Sequence, residues 1–238
     1  MFTHRFQQWI RRRAQAAAGW LARLPVTPNQ ITVAGMVVVF GAAALVASGN
    51  LLAGGVVLAF GASFDIFDGA LARVTKRSYP YGAFLDSTLD RYAEAAIYIG
   101  LVAYYVGQPN PRPAALGVLL ALVGSMSVSY VKARALSLGF NCESGLFARP
   151  ERIVATIVGL VFGGWVLFVV IWALAILTNF TALQRVVEVW GQARAHRVES
   201  AAPVAASAPV AAPVIAAEAA PATARGSAKQ KLARQSEI

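Results

Sequence analysis

Apolar stretches recur along the chain at 31–48, 51–64, 93–106, 114–131 and 153–177. They reach or approach the roughly 20 residues that a helix needs to cross a bilayer. In hydrocarbon a backbone must satisfy its own N–H and C=O groups, so such stretches read as helices. Only 13% of the residues are charged, well below the roughly one quarter of a soluble domain. An all-α integral membrane protein is therefore expected.

The punctuation divides the chain further. Residues 1–24 carry Phe2, Phe6, Ile10, Ala17 and Leu21 at helical spacing, with Arg11, Arg12 and Arg13 among them. That pattern predicts an amphipathic helix lying in the membrane interface over anionic lipid. Pro25 and Pro28 end it, and Asn29 is the expected N-cap of the first spanning helix. Six spans follow, at about 30–48, 51–76, 83–106, 113–138, 150–162 and 165–189, with Gly163-Gly164 as the break before the last. A single helix over 153–177, giving five spans, is the alternative. From about 195 to 238 the chain turns Ala/Pro-rich, with no period that would bury a face, and is expected to be disordered. The domain itself is expected over 25–190.

The formal net charge of +10 could suggest nucleic acid, but its placement fits flanking charges on a membrane protein better, and no nucleic-acid partner is expected. Arg5, Arg11, Arg12, Arg13, Arg23, Arg73, Lys76, Arg77, Lys132, Arg134, Arg149 and Arg152 fall in segments on one side of a six-span layout. Arg112 alone falls on the other side. By the positive-inside rule the former side is cytoplasmic, which puts both ends of the chain in the cytoplasm. The single cysteine, Cys142, excludes internal disulfides.

Against this apolar background stands FDIFDGALARVTKRSYPYGAFLDSTLDR, residues 64–91, which holds every aspartate of the chain: Asp65, Asp68, Asp86 and Asp90. An acid in a span is costly and marks function. Asp65 and Asp68 stand i,i+3, and Asp86 and Asp90 stand i,i+4, so each pair shares one helix face. The short basic turn between them makes the two helices antiparallel neighbours, with the acids facing each other near the cytoplasmic surface. Carboxylates so placed need a cation. Oxygen ligands with no Cys or His nearby suit a hard ion such as Mg²⁺, Mn²⁺ or Ca²⁺. Gly69 and Gly82 thin the same helices for close approach. Two alternatives remain: intrahelical ion pairs such as Asp86 or Asp90 with Arg91, and an ion or proton pathway through the membrane. His4 and His196 lie outside the spans, so no His-activated nucleophile is in view and direct attack is favoured over a covalent intermediate.

Taken in order, Asp65, Asp68-Gly69, Ala72-Arg73, Gly82, Asp86 and Asp90 spell D-x-x-D-G-x-x-A-R-x8-G-x-x-x-D-x-x-x-D. This closely resembles the signature of the CDP-alcohol phosphatidyltransferases, and the resemblance covers about 25–190. It implies a six-helix membrane fold, a homodimer, and transfer of a phosphatidyl group from CDP-diacylglycerol to an alcohol with release of CMP. It implies a centre of two Mg²⁺ (or Mn²⁺) ions on Asp65, Asp68 and Asp86, with Asp90 also near the metals and acting as general base. Asn29, Gln30, Ile31, Thr32, Gly69 and Arg73 resemble the family's CDP-lipid contacts. Tyr79 is counted with these contacts, at a position where relatives often carry a small hydroxyl residue.

The acceptor is read from the later spans. Lys132, Arg134, Arg152 and Arg185 are expected to gather near the aspartates, and such a basic cluster suits an acceptor that bears its own phosphate. Ser129-Tyr130-Val131-Lys132-Ala133-Arg134-Ala135 followed by Arg149-Pro150-Glu151-Arg152 is similar to the prokaryotic phosphatidylinositol phosphate synthases of that family. The resemblance implies L-myo-inositol-1-phosphate as acceptor, with glycerol-3-phosphate as runner-up. Gly54, Gly55 and Gly61 could permit close helix contacts.

Overall fold

The structure, a computed structural model, describes residues 26–75, 79–142, 145 and 147–201, with His196 and residues 198–201 in backbone only. The expected amphipathic helix at 1–24, Lys76-Arg77 of the basic turn and the chain beyond 201 lie outside the described residues. One compact unit reaches to Glu199, and of the second only Ser200 and Ala201 are described.

Six helices are present among the described residues: α1 Pro28–Ala47, α2 Leu51–Val74, α3 Pro80–Val106, α4 Pro111–Ser137, α5 Arg149–Phe162 and α6 Gly164–Ala201. Proline marks the starts. α1, α3, α4 and α5 each carry one in the first two positions, where a missing N–H costs no helical bond. Glycine marks the break expected before the last helix. Gly163 takes φ 61° and ψ −161°, a backbone closed to other residues, so 153–177 is not one helix. Two expectations shift. Thr27, not Asn29, caps α1: its hydroxyl accepts from the Gln30 N–H, and the Gln30 side chain accepts from the Thr27 N–H. At the other end α6 continues to Ala201, so residues 195–201 are helical rather than part of an irregular tail.

α1 packs on α2 and α3, α2 on α5, and α3 on α4. Asn179 of α6 donates to the Leu120 carbonyl of α4, which joins the last helix to the bundle. The shared core is apolar and small: Val39, Ala42, Val46, Leu58, Ile97, Leu101, Val118, Ala121, Leu160 and Ile171. Between helices in lipid there is little hydrophobic gain, so close approach carries the packing. A Cβ on Gly100 would stand 2.5 Å from the Ala43 carbonyl oxygen. Gly54 and Gly61 sit against Val46 and Val39 of α1, and Gly55 against Leu160 of α5. These glycines therefore serve contacts within the chain.

Large apolar side chains such as Phe60, Ile99, Val123, Phe162, Trp165 and Ile176 point outward, as a protein solvated by lipid requires. Four helices, α1, α2, α4 and α6 as far as Ala195, are long and apolar enough to cross a membrane. α5, at 14 residues, spans only about 21 Å. α3 is long enough, but its first fifteen residues carry Asp86, Asp90, Arg91 and Glu94.

Candidate active site

The acids sit where α2 ends and α3 begins. Helical spacing brings Asp65, Asp68 and Asp86 together, with one oxygen from each carboxylate lying within 4.8 Å of the others. Asp68 is 7% exposed and accepts a hydrogen bond from the Thr32 hydroxyl at 2.7 Å. α1 therefore fixes the innermost ligand. Three converging carboxylates repel unless a cation lies among them, and an all-oxygen donor set fits a hard divalent ion.

Asp90 is not part of that trio. It stands one turn further along α3, where Arg149, the first residue of α5, reaches across. Arg149 Nη1 donates to Asp65 Oδ2 at 2.7 Å, and Nη2 to Asp90 Oδ1 at 2.6 Å. One turn further again, Glu94 holds Arg152 in a fork, Nε to Oε1 at 2.8 Å and Nη2 to Oε2 at 3.1 Å. Ser125 of α4 donates to the same Oε1. Asp86, Asp90 and Glu94 thus form one i+4 row that descends from the helix ends into the bundle.

Two cavities border this row. The outer one is lined by Asn29, Thr32, Asp68, Gly69, Tyr79, Gly82 and Asp86, among others. It gathers four of the residues expected to contact the CDP-lipid: Asn29, Thr32, Gly69 and Tyr79. Arg73 lies beside it, its guanidinium 3.6 Å from where a Gly69 Cβ would stand. Gln30 and Ile31 are not brought there. Gln30 is spent on the helix cap, and Ile31 is buried at 6% exposure. The inner cavity is polar at the end lined by Asp65, Asp90, Glu94, Arg149 and Arg152, and apolar beyond, at Met36, Val39 and Leu58.

The four expected acceptor residues differ in exposure. Lys132 and Arg134 are exposed near the end of α4. Arg185 is 5% exposed and donates to the Val128 carbonyl at 2.6 Å, beside Gly145. Arg152, at 1% exposure, is engaged by Glu94 and by the Phe147 carbonyl, so it braces α5 against α3 at the polar end of the inner cavity. Sequence reading missed Glu94 and the inward role of Arg149. The signal for Glu94 was the spacing itself, four residues after Asp90.

The family model of the CDP-alcohol phosphatidyltransferases matches residues 25–183, more than half of the chain. The archaetidylinositol phosphate synthase of Methanothermobacter thermautotrophicus is 40% identical over 172 residues, covering 71% of this chain and 85% of the relative. Among solved structures, the phosphatidylinositol phosphate synthase of Mycobacterium tuberculosis with CDP-DAG bound matches with TM-score 0.70 and 34% identity, over 75% of this chain and 94% of that one. The same enzyme in complex with manganese and citrate also matches at TM-score 0.70 and 34% identity, over 74% of this chain and 88% of that one.

Proposed function

The chain belongs to the CDP-alcohol phosphatidyltransferase family, and within it we propose that the chain transfers the phosphatidyl group of CDP-diacylglycerol to L-myo-inositol-1-phosphate, releasing CMP. One observation carries this reading: the Asp65, Asp68 and Asp86 carboxylates converge at a cavity walled by Asn29, Thr32, Gly69 and Tyr79. Similarity to two inositol phosphate synthases supports the choice of acceptor.

In the proposed reaction the acceptor hydroxyl oxygen bonds to the phosphatidyl phosphorus. The bond from that phosphorus to the oxygen shared with CMP breaks, CMP leaves with the electron pair, and Asp90 takes the hydroxyl proton. Divalent ions held by Asp65, Asp68 and Asp86, two of them in this reading, would supply charge neutralisation at the pyrophosphate. Asn29, Thr32, Gly69 and Arg73 bind and orient the nucleotide end. Thr32 also holds Asp68, which keeps that carboxylate aimed into the cavity. Lys132, Arg134 and Arg185 attract the acceptor's phosphate.

Purified protein with CDP-diacylglycerol, Mg²⁺ and a panel of alcohols tests the reading by CMP release. CMP is expected with inositol-1-phosphate. CMP with glycerol-3-phosphate alone would reject the acceptor, and no CMP from a folded, metal-bound sample would reject the transferase. The similarity to an archaetidyl enzyme favours a second reading of the donor lipid, with ether chains. CDP-archaeol run beside CDP-diacylglycerol decides it by relative rate.

The same proposal includes a multi-pass protein of the cell membrane in which all six helices pass through the bilayer. The site and both ends face the cytoplasm, residues 1–24 lie on that face, 25–190 form the transferase domain, and the Ala/Pro-rich end is a disordered tail. The asymmetry of Lys and Arg supports the orientation, and reporter fusions at the two ends test it. The family's habit supports a homodimer, and the mass of the detergent-solubilised protein tests that.

A further inference from the structure

Arg149 faces the site from α5, and the reaction as described gives it no task. Its guanidinium joins Asp65 and Asp90 at 2.7 and 2.6 Å, while its Nε is buried with no hydrogen-bond partner. Two terminal nitrogens therefore hold the group in place. Asp65 is also one of the three carboxylates that converge as metal ligands. The chain thus brings its own cation to a carboxylate that a divalent ion would use.

The local structure lets that cation leave without moving α5. Arg152, one turn on, is locked to Glu94 by two hydrogen bonds, so the start of α5 stays fixed to α3. Arg149 can withdraw by rotating its own side chain.

We propose that Arg149 is the resident counter-cation of the metal-free site, exchanged for a divalent ion at Asp65, and that its departure uncovers Asp90. This rests on the reading of Asp65, Asp68 and Asp86 as metal ligands. The exchange keeps four acids tolerable before substrate arrives, and it ties release of the base to metal loading.

Mn²⁺ titration of the full-length protein in detergent, with free Mn²⁺ counted by its EPR signal, tests the exchange without turnover. Arg149→Gln removes the competitor and is expected to tighten Mn²⁺ binding about tenfold. Arg149→Lys keeps a charge but cannot bridge two carboxylates, so its affinity should fall between those of wild type and Arg149→Gln. Arg91→Gln is the control for plain loss of charge. Arg91 lies within electrostatic reach of Asp86 and Asp90 but donates to the Ser87 carbonyl, and its removal should change affinity less than about twofold. Unchanged or weaker binding in Arg149→Gln, wild-type affinity in Arg149→Lys, or an equal gain in Arg91→Gln would overturn the exchange. Mn²⁺ binding that ignores Asp68→Asn would remove the metal site itself, and the exchange with it. As a second readout, Mn²⁺ should raise the melting temperature of Arg149→Gln more than that of wild type. An equal rise would also count against the exchange.

Discussion

Replacing Arg152 by Met should destabilise the bundle more than any other single loss of positive charge among the described residues. Arg152 is 1% exposed and its Glu94 partner 9%, so neither charge has water to fall back on. After the replacement, Glu94 keeps only the Ser125 hydroxyl. An uncompensated buried charge of this kind costs about 3–5 kcal/mol. For a protein of this size 1 kcal/mol moves the melting temperature by about 2–4 °C, so a fall of roughly 6–12 °C follows from the lower figure alone. Glu94→Leu strands the guanidinium with the Phe147 carbonyl and should cost about as much. The double variant Glu94→Leu/Arg152→Met removes both charges and should recover most of the loss, because an apolar pair can replace a buried ion pair at little net cost. Thermal loss of helical signal in detergent measures all three. Additive effects, to within about 0.5 kcal/mol, would refute the idea that the two residues act as one brace. CMP release by the double variant carries a second check. If Arg152 only braces α5, the acceptor KM stays near wild type, whereas a phosphate ligand at this position would raise it sharply.

Asp68→Asn removes the most buried of the three converging carboxylates and should lower CMP release by about a hundredfold or more, with Mn²⁺ affinity falling in parallel; retained affinity on EPR titration would argue against the site. Asp90→Asn should abolish turnover yet leave binding of the CDP-lipid close to wild type, and wild-type turnover would sink its role as base. EDTA should stop the reaction, and Mg²⁺ or Mn²⁺ should restore it, as followed by CMP release. Burial raises the pKa of Cys142 above the usual thiol range, which leaves less thiolate at any given pH. The side chain is 0% exposed, so maleimide labelling at neutral pH should wait for unfolding, as a mass shift would show.

Much of this was legible because membrane helices announce their ends. The apolar runs and the Gly163-Gly164 break at the end of α5 were enough to place six helices close to where they stand. The paired spacing of the aspartates brought three of them together, with one oxygen of each within 4.8 Å of the others. What the sequence concealed was depth. Arg149 and Arg152 are three residues apart, so both face the same way on α5, and composition cannot tell which one meets which acid. That is decided by how far α5 sits along α3. Arg149 falls level with Asp90, and Arg152 with Glu94. Arg149 was counted among the cytoplasmic flanking charges and Arg152 among the cations for the acceptor, and the helix register leaves Arg149 the more exposed of the two. The cap was hidden for a related reason: Thr27 and Asn29 are both good caps, and using Thr27 leaves Asn29 free to line the outer cavity.

The row on α3 shows how a single repeat can carry two kinds of electrostatics. Asp86, Asp90 and Glu94 are spaced by four, so each lies about 6 Å deeper than the last. At the mouth Asp86 joins Asp65 and Asp68, and Arg149 reaches this trio at its Asp65 edge. At the bottom Glu94 is met by Arg152, whose 1% exposure leaves it no solvent to move into, and a desolvated, forked pair does not exchange. Asp90 lies between, 12% exposed, with its partner Arg149 at 26%. Its cation is near enough to water to leave and close enough to stay when nothing replaces it. Depth in the bundle therefore grades the counter-charges from exchangeable to permanent, and the residue assigned the proton transfer sits at the step where the exchange can be switched.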